Sequence, residues 1–172
     1  MGHQRSGAGG DTEESGGAGV TNLRMDIQID LSVRIENLTV DSALALSNRT
    51  ERAILIPARV KRRVSRQLTA RGAKPKMIPI RMFAGALYLL IEPLLGELTT
   101  VVVDLEFEGW NGEIRGLLLA LIHKAGHPLP GDAIEFRSVG KHARCHHLAL
   151  ATFRHRRQPH HRVTLAEFLK VS

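Results

Sequence analysis

Carboxylates crowd one short stretch of this chain, Val101-Val102-Val103-Asp104-Leu105-Glu106-Phe107-Glu108. The β-branched valines favour an extended chain, in which alternate side chains point to opposite faces. Asp104, Glu106 and Glu108 then form one row, with Val101, Val103, Leu105 and Phe107 on the other face. Three carboxylates in a row repel one another unless water, a cation or a basic partner neutralises them. A second candidate is Asp30, on the polar side of an uninterrupted alternation in which Met25, Ile27, Ile29, Leu31, Val33 and Ile35 share the apolar face. Histidine supplies a third chemistry, since six of the nine fall in the last part of the chain, from His142 to His161.

These groups need elements to position them, and 172 residues with 43% hydrophobic content suffice for one core. Residues 1–22, rich in glycine, read as a disordered tail that cannot offset its ordering entropy, and 23–172 as a single domain. The lone Cys145 excludes an internal disulfide framework and any multi-cysteine zinc site, and points to a reducing, cytoplasmic setting. No secretory signal is visible in the polar first twenty residues. The apolar run Phe83–Ile91 is about half the roughly 20 residues a bilayer span needs, so a buried core helix and no membrane partner are expected.

Alternation predicts strands at Met25–Ile35, Ser42–Leu46 and Arg52–Ile56, and their short connections imply an antiparallel meander. After Pro57 the period becomes helical, with Ala58, Val60, Val64 and Leu68 on the apolar stripe. Around it stand Arg59, Lys61, Arg62, Arg63 and Arg66, followed by Arg71, Lys74 and Lys76, with no acidic residue among them. A helix tuned for stability alone would interleave glutamates, so the single sign fits contact with phosphates. The net charge of +7 agrees with a polyanionic partner.

Gly72 and Pro75 end that helix, and a second, apolar nearly all round, is expected from about Ile80 to Leu90. The strand Thr100–Glu108 follows, then a helix with Asn111 as N-cap and a stripe of Ile114, Leu117, Leu118, Leu121 and Ile122 up to Gly126. A strand at Ala133–Val139 completes a βαβ unit with parallel strands. A helix from about His142 to Arg156 comes next, and Thr164-Leu165-Ala166-Glu167 is a capping box for a closing helix. The expected architecture is α/β: a mixed five-stranded sheet, three antiparallel strands then two parallel ones, with flanking helices.

This order, with acidic residues in Ile29-Asp30-Leu31-Ser32 and Val103-Asp104-Leu105-Glu106, resembles the ribonuclease H-like superfamily over about residues 25–157. The resemblance implies that the first and fourth strands are neighbours and that Asp30 and Asp104 hold divalent metal. Magnesium or manganese suits such hard oxygen ligands and would serve phosphodiester hydrolysis. The superfamily commonly adds a carboxylate from the first long helix, whereas 58–76 contains none; Glu106, on the face of Asp104, is the substitute. Leucine follows Asp30 where glycine often stands in ribonucleases H.

A last-helix residue usually completes such a site. On the helical wheel Cys145, Leu148, Ala149, Thr152 and Phe153 share a stripe with His142 and His146 at its edge, so His146 is the expected metal ligand or proton carrier. Lys141, beside Gly140 at the expected helix start, could meet a phosphate together with backbone N–H groups.

The reading is therefore a metal-dependent nuclease acting on RNA, DNA or a hybrid, with Asp30, Asp104, Glu106 and His146 at the site and Arg59, Arg62, Arg63, Arg66 and Lys141 on the backbone phosphates. The alternative is a non-catalytic nucleic-acid-binding or assembly protein. Aromatic residues make up only 4%, so backbone contact would dominate over base stacking. A zinc pair at His142 and His146 lacks the intervening glutamate of HExxH, and Cys145 falls on the apolar stripe, where an inert thiol is expected.

Overall fold

The computed structural model describes residues 24–172; the expected tail, 1–22, lies outside them. Among these residues six strands form one mixed sheet: β1 (Met25–Leu31), β2 (Ser42–Asn48), β3 (Glu51–Ile56), β4 (Leu98–Val103), β5 (Ile134–Phe136) and β6 (His161–Arg162). Their order is β5-β4-β1-β2-β3-β6. The first three make the antiparallel meander, whereas β4 runs parallel to β1 and β5 parallel to β4. The sixth strand was not expected. It pairs with β3 over two residues, too few to carry a periodicity, and is clamped by His160: Ala53 N–H donates to His160 Nδ1 at 3.0 Å, and His160 N–H donates to the Ala53 carbonyl at 2.8 Å.

Among the described residues five α-helices flank the sheet: α1 (Ala58–Ala70), α2 (Met77–Ile91), α3 (Asn111–Lys124), α4 (Arg144–Phe153) and α5 (Leu165–Val171). Strand alternation sorts them into two layers. Ile27, Ile29, Leu44, Leu46, Ile54, Ile56, Val101 and Val103 join the main core, to which α1, α2, α3 and α5 contribute. On the opposite face Leu148 and Ala149 of α4 lie on Ala45 and Ala53, whose small side chains let the helix sit close. Each fully buried Leu or Ile contributes roughly 1.5–3 kcal/mol, so the first layer carries most of the stability and α4 is a thin cover.

The stretch Met77–Leu94, α2 plus a following 3-10 turn, is long and apolar enough to cross a membrane, yet 67% of it is buried inside the fold. It starts three residues before the expected Ile80, because Pro79 falls in the first turn, where its missing N–H has no intrahelical partner to lose. At the C-terminus the capping box forms as expected: Glu167 N–H donates to Thr164 Oγ1, and Thr164 N–H donates to Glu167 Oε2 at 2.8 Å.

Several boundaries differ from expectation, and each difference bears on the site. β1 stops at Leu31 and does not reach Ile35, because the chain turns at Arg34–Asn37, although Ile35 itself is buried. β4 stops at Val103, with Asp104 N–H to the Ile29 carbonyl (3.0 Å) as its last rung. Leu105 is consequently 52% exposed instead of sharing the apolar face. Asn111 is the first residue of α3 and not its cap; Trp110 takes that position without a side-chain hydrogen bond, and the buried Asn111 Oδ1 has no partner among the described residues. β5 is shorter than Ala133–Val139, and α4 begins at Arg144.

Lys61 departs most from its expected place among the surface charges of α1. It is wholly buried and donates from Nζ to the Asn37 carbonyl and to Ser42 Oγ, both at 2.6 Å. This ties α1 to the β1–β2 loop, and burial pushes the amine down to about 8.

Candidate metal centre

The site forms at the carboxyl ends of β1 and β4. Parallel pairing sets Ile29 against Val103, so the next residue of each strand, Asp30 and Asp104, emerges side by side. Glu106 follows where β4 has left the sheet, and the loop turns it back: one carboxylate oxygen from each of Asp30, Asp104 and Glu106 lies within 4.8 Å of the other two. Glu108 does not belong; with the strand ended its alternation is lost, and it is exposed.

Each side chain of the cluster is held. Asp30, 6% exposed, accepts from or donates to His146 Nδ1 through Oδ2 at 2.7 Å, according to the proton's position. Asp104 Oδ1 accepts the backbone N–H of Val139 at 2.7 Å. Glu106 is half-buried, and Arg34 lies close enough to stabilise its charge while Glu36 opposes it.

Crowding and burial disfavour three full negative charges. Two unit charges at such a spacing repel by roughly 3 kcal/mol at an effective dielectric of about 20, more than the net gain from a typical hydrogen bond of about 1 kcal/mol. The response is visible in the acidities. Burial raises Asp30, helped by Asp104 and opposed by the His146 hydrogen bond. Burial, then Asp30 and Asp104, pushes Glu106 up to about 7. A proton relieves one of the three charges; a divalent cation would offset two. The set is all oxygen, one member buried and two half-buried, and could hold a metal ion.

His146 stands at the edge of the α4 stripe, with Cys145, Leu148, Ala149 and Thr152 buried beneath it. It reaches the cluster through Asp30 and is not one of the three clustered groups. His142 precedes α4 and is exposed, so the helical i,i+4 relation to His146 considered for zinc does not exist. The Cys145 thiol is buried and raised by that burial, as expected of an inert one.

The expected phosphate contacts fall in two places. Arg59, Arg62, Arg63 and Arg66 are exposed on α1, in the layer across the sheet from α4, and Arg62 donates to the Leu38 carbonyl at 2.8 Å. Lys141 is exposed in the turn before α4, three residues ahead of the helix and not at its start. Gly140, at φ +86°, makes that turn. Two further groups contribute that no local sequence pattern singles out. The Val139 N–H carries no side-chain signal, being backbone. Arg34 lies on the β1–β2 loop and, with Leu105, Glu106, Phe107 and Trp110, lines an open cavity of about 600 Å³ beside the cluster.

Compared with models of known protein families, with curated proteins and with solved structures, the chain matches none.

Proposed function

We propose that the protein is a divalent-metal-dependent nuclease with a ribonuclease H-like fold, hydrolysing nucleic-acid phosphodiesters. The observation that carries this is the convergence of Asp30, Asp104 and Glu106 at the ends of two adjacent parallel strands, with His146 hydrogen-bonded to the most buried of them. The antiparallel meander of β1, β2 and β3 and the parallel pairing of β4 with β1 support this reading, and β6 is an addition outside β3. A cytoplasmic setting belongs to the same reading, supported by the single buried cysteine.

Asp30, Asp104 and Glu106 would hold Mg2+ or Mn2+. When bound, the metal supplies an activated water and neutralises charge on the phosphate. The chain's own residues set the geometry. The Val139 N–H fixes the Asp104 carboxylate, and His146 orients Asp30 and favours its ionised form. Glu106, pushed up to about 7 in the metal-free site, would have to lose its proton to serve as a ligand. Exposed cations, among them Arg59, Arg62, Arg63, Arg66 and Lys141, are available to backbone phosphates.

Cleavage of end-labelled RNA, DNA and hybrid duplexes with Mg2+, Mn2+ or chelator tests the reading. Asp104→Asn keeps an acceptor for the Val139 N–H while removing the charge, and activity is expected to fall by at least about 100-fold. Metal-independent cleavage, or a fully active Asp104→Asn, sinks it. The exposed arginines of α1 favour a second reading, a non-catalytic binding module; binding indifferent to chelator, with no product on any substrate, would select it.

A further inference from the structure

From Phe136 to Ala166 the chain carries no carboxylate side chain, while Arg137, Lys141, Arg144, Arg154, Arg156, Arg157 and Arg162 fall within it. This second acid-free run includes α4 and both of its flanks, and it begins at the metal centre. Val139 holds Asp104 through its N–H and His146 holds Asp30, so the segment between these anchors forms one wall of the cluster. Lys141, His142 and Arg144 project from that wall, exposed, and His147 follows on α4. Beyond the far end of the helix Arg154, His155, Arg156 and Arg157 are exposed as well.

The charges are not all compensated internally. Arg144 and Arg157 share Glu51 at 2.6 and 3.1 Å, and Arg137 lies 3.6 Å from Glu135. Among the described residues Lys141, Arg154 and Arg156 have no ion-pair partner. Arg162 belongs to the other basic region, lining a cavity with Arg59 and Arg63 at the α1 edge. Two positive surfaces therefore exist on opposite layers of the sheet, and the one on α4 shares its face with Asp30 and His146.

We infer that a nucleic-acid backbone lies along α4, from Lys141, two residues past the Val139 anchor, to Arg154 and Arg156 beyond the helix, and that this surface rather than the arginines of α1 presents the phosphodiester to the cluster. The inference rests on the nuclease reading for the identity of the site, but the binding surface stands on charge and placement alone. Ten residues of helix extend about 15 Å, the rise of four to five base pairs at about 3.4 Å each. Cations flanking a helix of this length can reach separate phosphates of one backbone. Contacts of this kind give register and affinity without sequence preference.

The test is the salt dependence of binding to a fluorescent 16-base-pair duplex, measured by anisotropy on the full chain carrying Asp104→Asn, with chelator present. Two triple variants are compared in that background: Lys141→Ala/Arg154→Ala/Arg156→Ala and Arg59→Ala/Arg63→Ala/Arg66→Ala, all exposed side chains without a hydrogen-bonded partner among the described residues. The α4-side set is expected to lose at least about tenfold more affinity than the α1 set, and to flatten log K against log salt by about 2 to 3, near 0.9 for each phosphate contact removed. An equal or larger loss from the α1 set, an unchanged slope for the α4-side set, or no duplex binding at low salt overturns the inference. Loss confined to the α4-side set in a protein whose unsubstituted form cleaves nothing would uphold the surface and reject the nuclease.

Discussion

Asp30 and His146, 116 positions apart in the chain, meet at 2.7 Å between Oδ2 and Nδ1. The contact joins the end of β1 to α4, whose Leu148 and Ala149 pack on two alanines of the sheet. His146 is a positioning residue here: it holds a carboxylate that burial pushes toward its neutral form and partly opposes that push.

Removing the ring should therefore weaken metal binding more than it weakens the fold. His146→Ala is expected to reduce Mn2+ affinity about 10- to 100-fold, the range for losing an outer-shell partner, and to move the pH midpoint of metal binding upward. His146→Asn, which keeps a donor, should recover part of both. Calorimetric titration at several pH values reads the effect, and an unchanged midpoint in His146→Ala would remove the assigned role.

Glu106 makes metal-free stability depend on pH. Its ordinary value of 4.5 rises to about 7, so in that window the folded chain keeps a proton the unfolded chain has released. Stability should then fall as pH rises from about 4.5 to about 7, with Asp30 acting in the same direction. Thermal melts in chelator are expected to lose a few degrees across this window. Glu106→Gln should flatten the profile, and saturating Mg2+ should reverse it. A level profile in the unsubstituted, metal-free protein contradicts the assignment.

Lys61 should behave oppositely at alkaline pH. Its amine, ordinarily at 10.5, is pushed down to about 8, so between these values the unfolded chain holds the extra proton and stability rises with pH. Lys61→Met is expected to abolish that rise. Lys61→Ala, which leaves a cavity and strands the Asn37 carbonyl and Ser42 hydroxyl, should cost about 2–4 kcal/mol in urea unfolding. A cost below about 0.5 kcal/mol would mean that the side chain is solvated.

Two helical glycines should respond with opposite signs to alanine. A Cβ on Gly85 would lie 2.8 Å from the Val171 carbonyl oxygen, so Gly85→Ala forces α5 away from α2 at a cost of about 1–3 kcal/mol. A Cβ on Gly116, on the exposed side of α3, meets nothing within 4 Å, so Gly116→Ala should gain about 0.8–1 kcal/mol from helix propensity alone. Denaturant midpoints compare them directly. Equal effects would mean that α5 does not dock on α2.

Local patterns in the sequence determined much of this protein. Alternation from Met25 to Leu31 identified β1, the change of period after Pro57 identified α1, and Thr164 with Glu167 marked the start of α5, because side-chain direction and capping are decided within a few residues. The same alternation put Asp30 and Asp104 on the polar faces of their strands. It overran the ends of β1 and β4, since a strand stops where its neighbour no longer offers a rung, and Leu105 and Glu108 fell on the wrong side of that limit. Only the tertiary structure decided that Glu106 turns back to Asp30, that the Val139 N–H reaches Asp104, that Lys61 is enclosed and that α1 and α4 occupy opposite layers. Those outcomes depend on which surfaces remain after distant segments have packed together, and no window of sequence contains both partners.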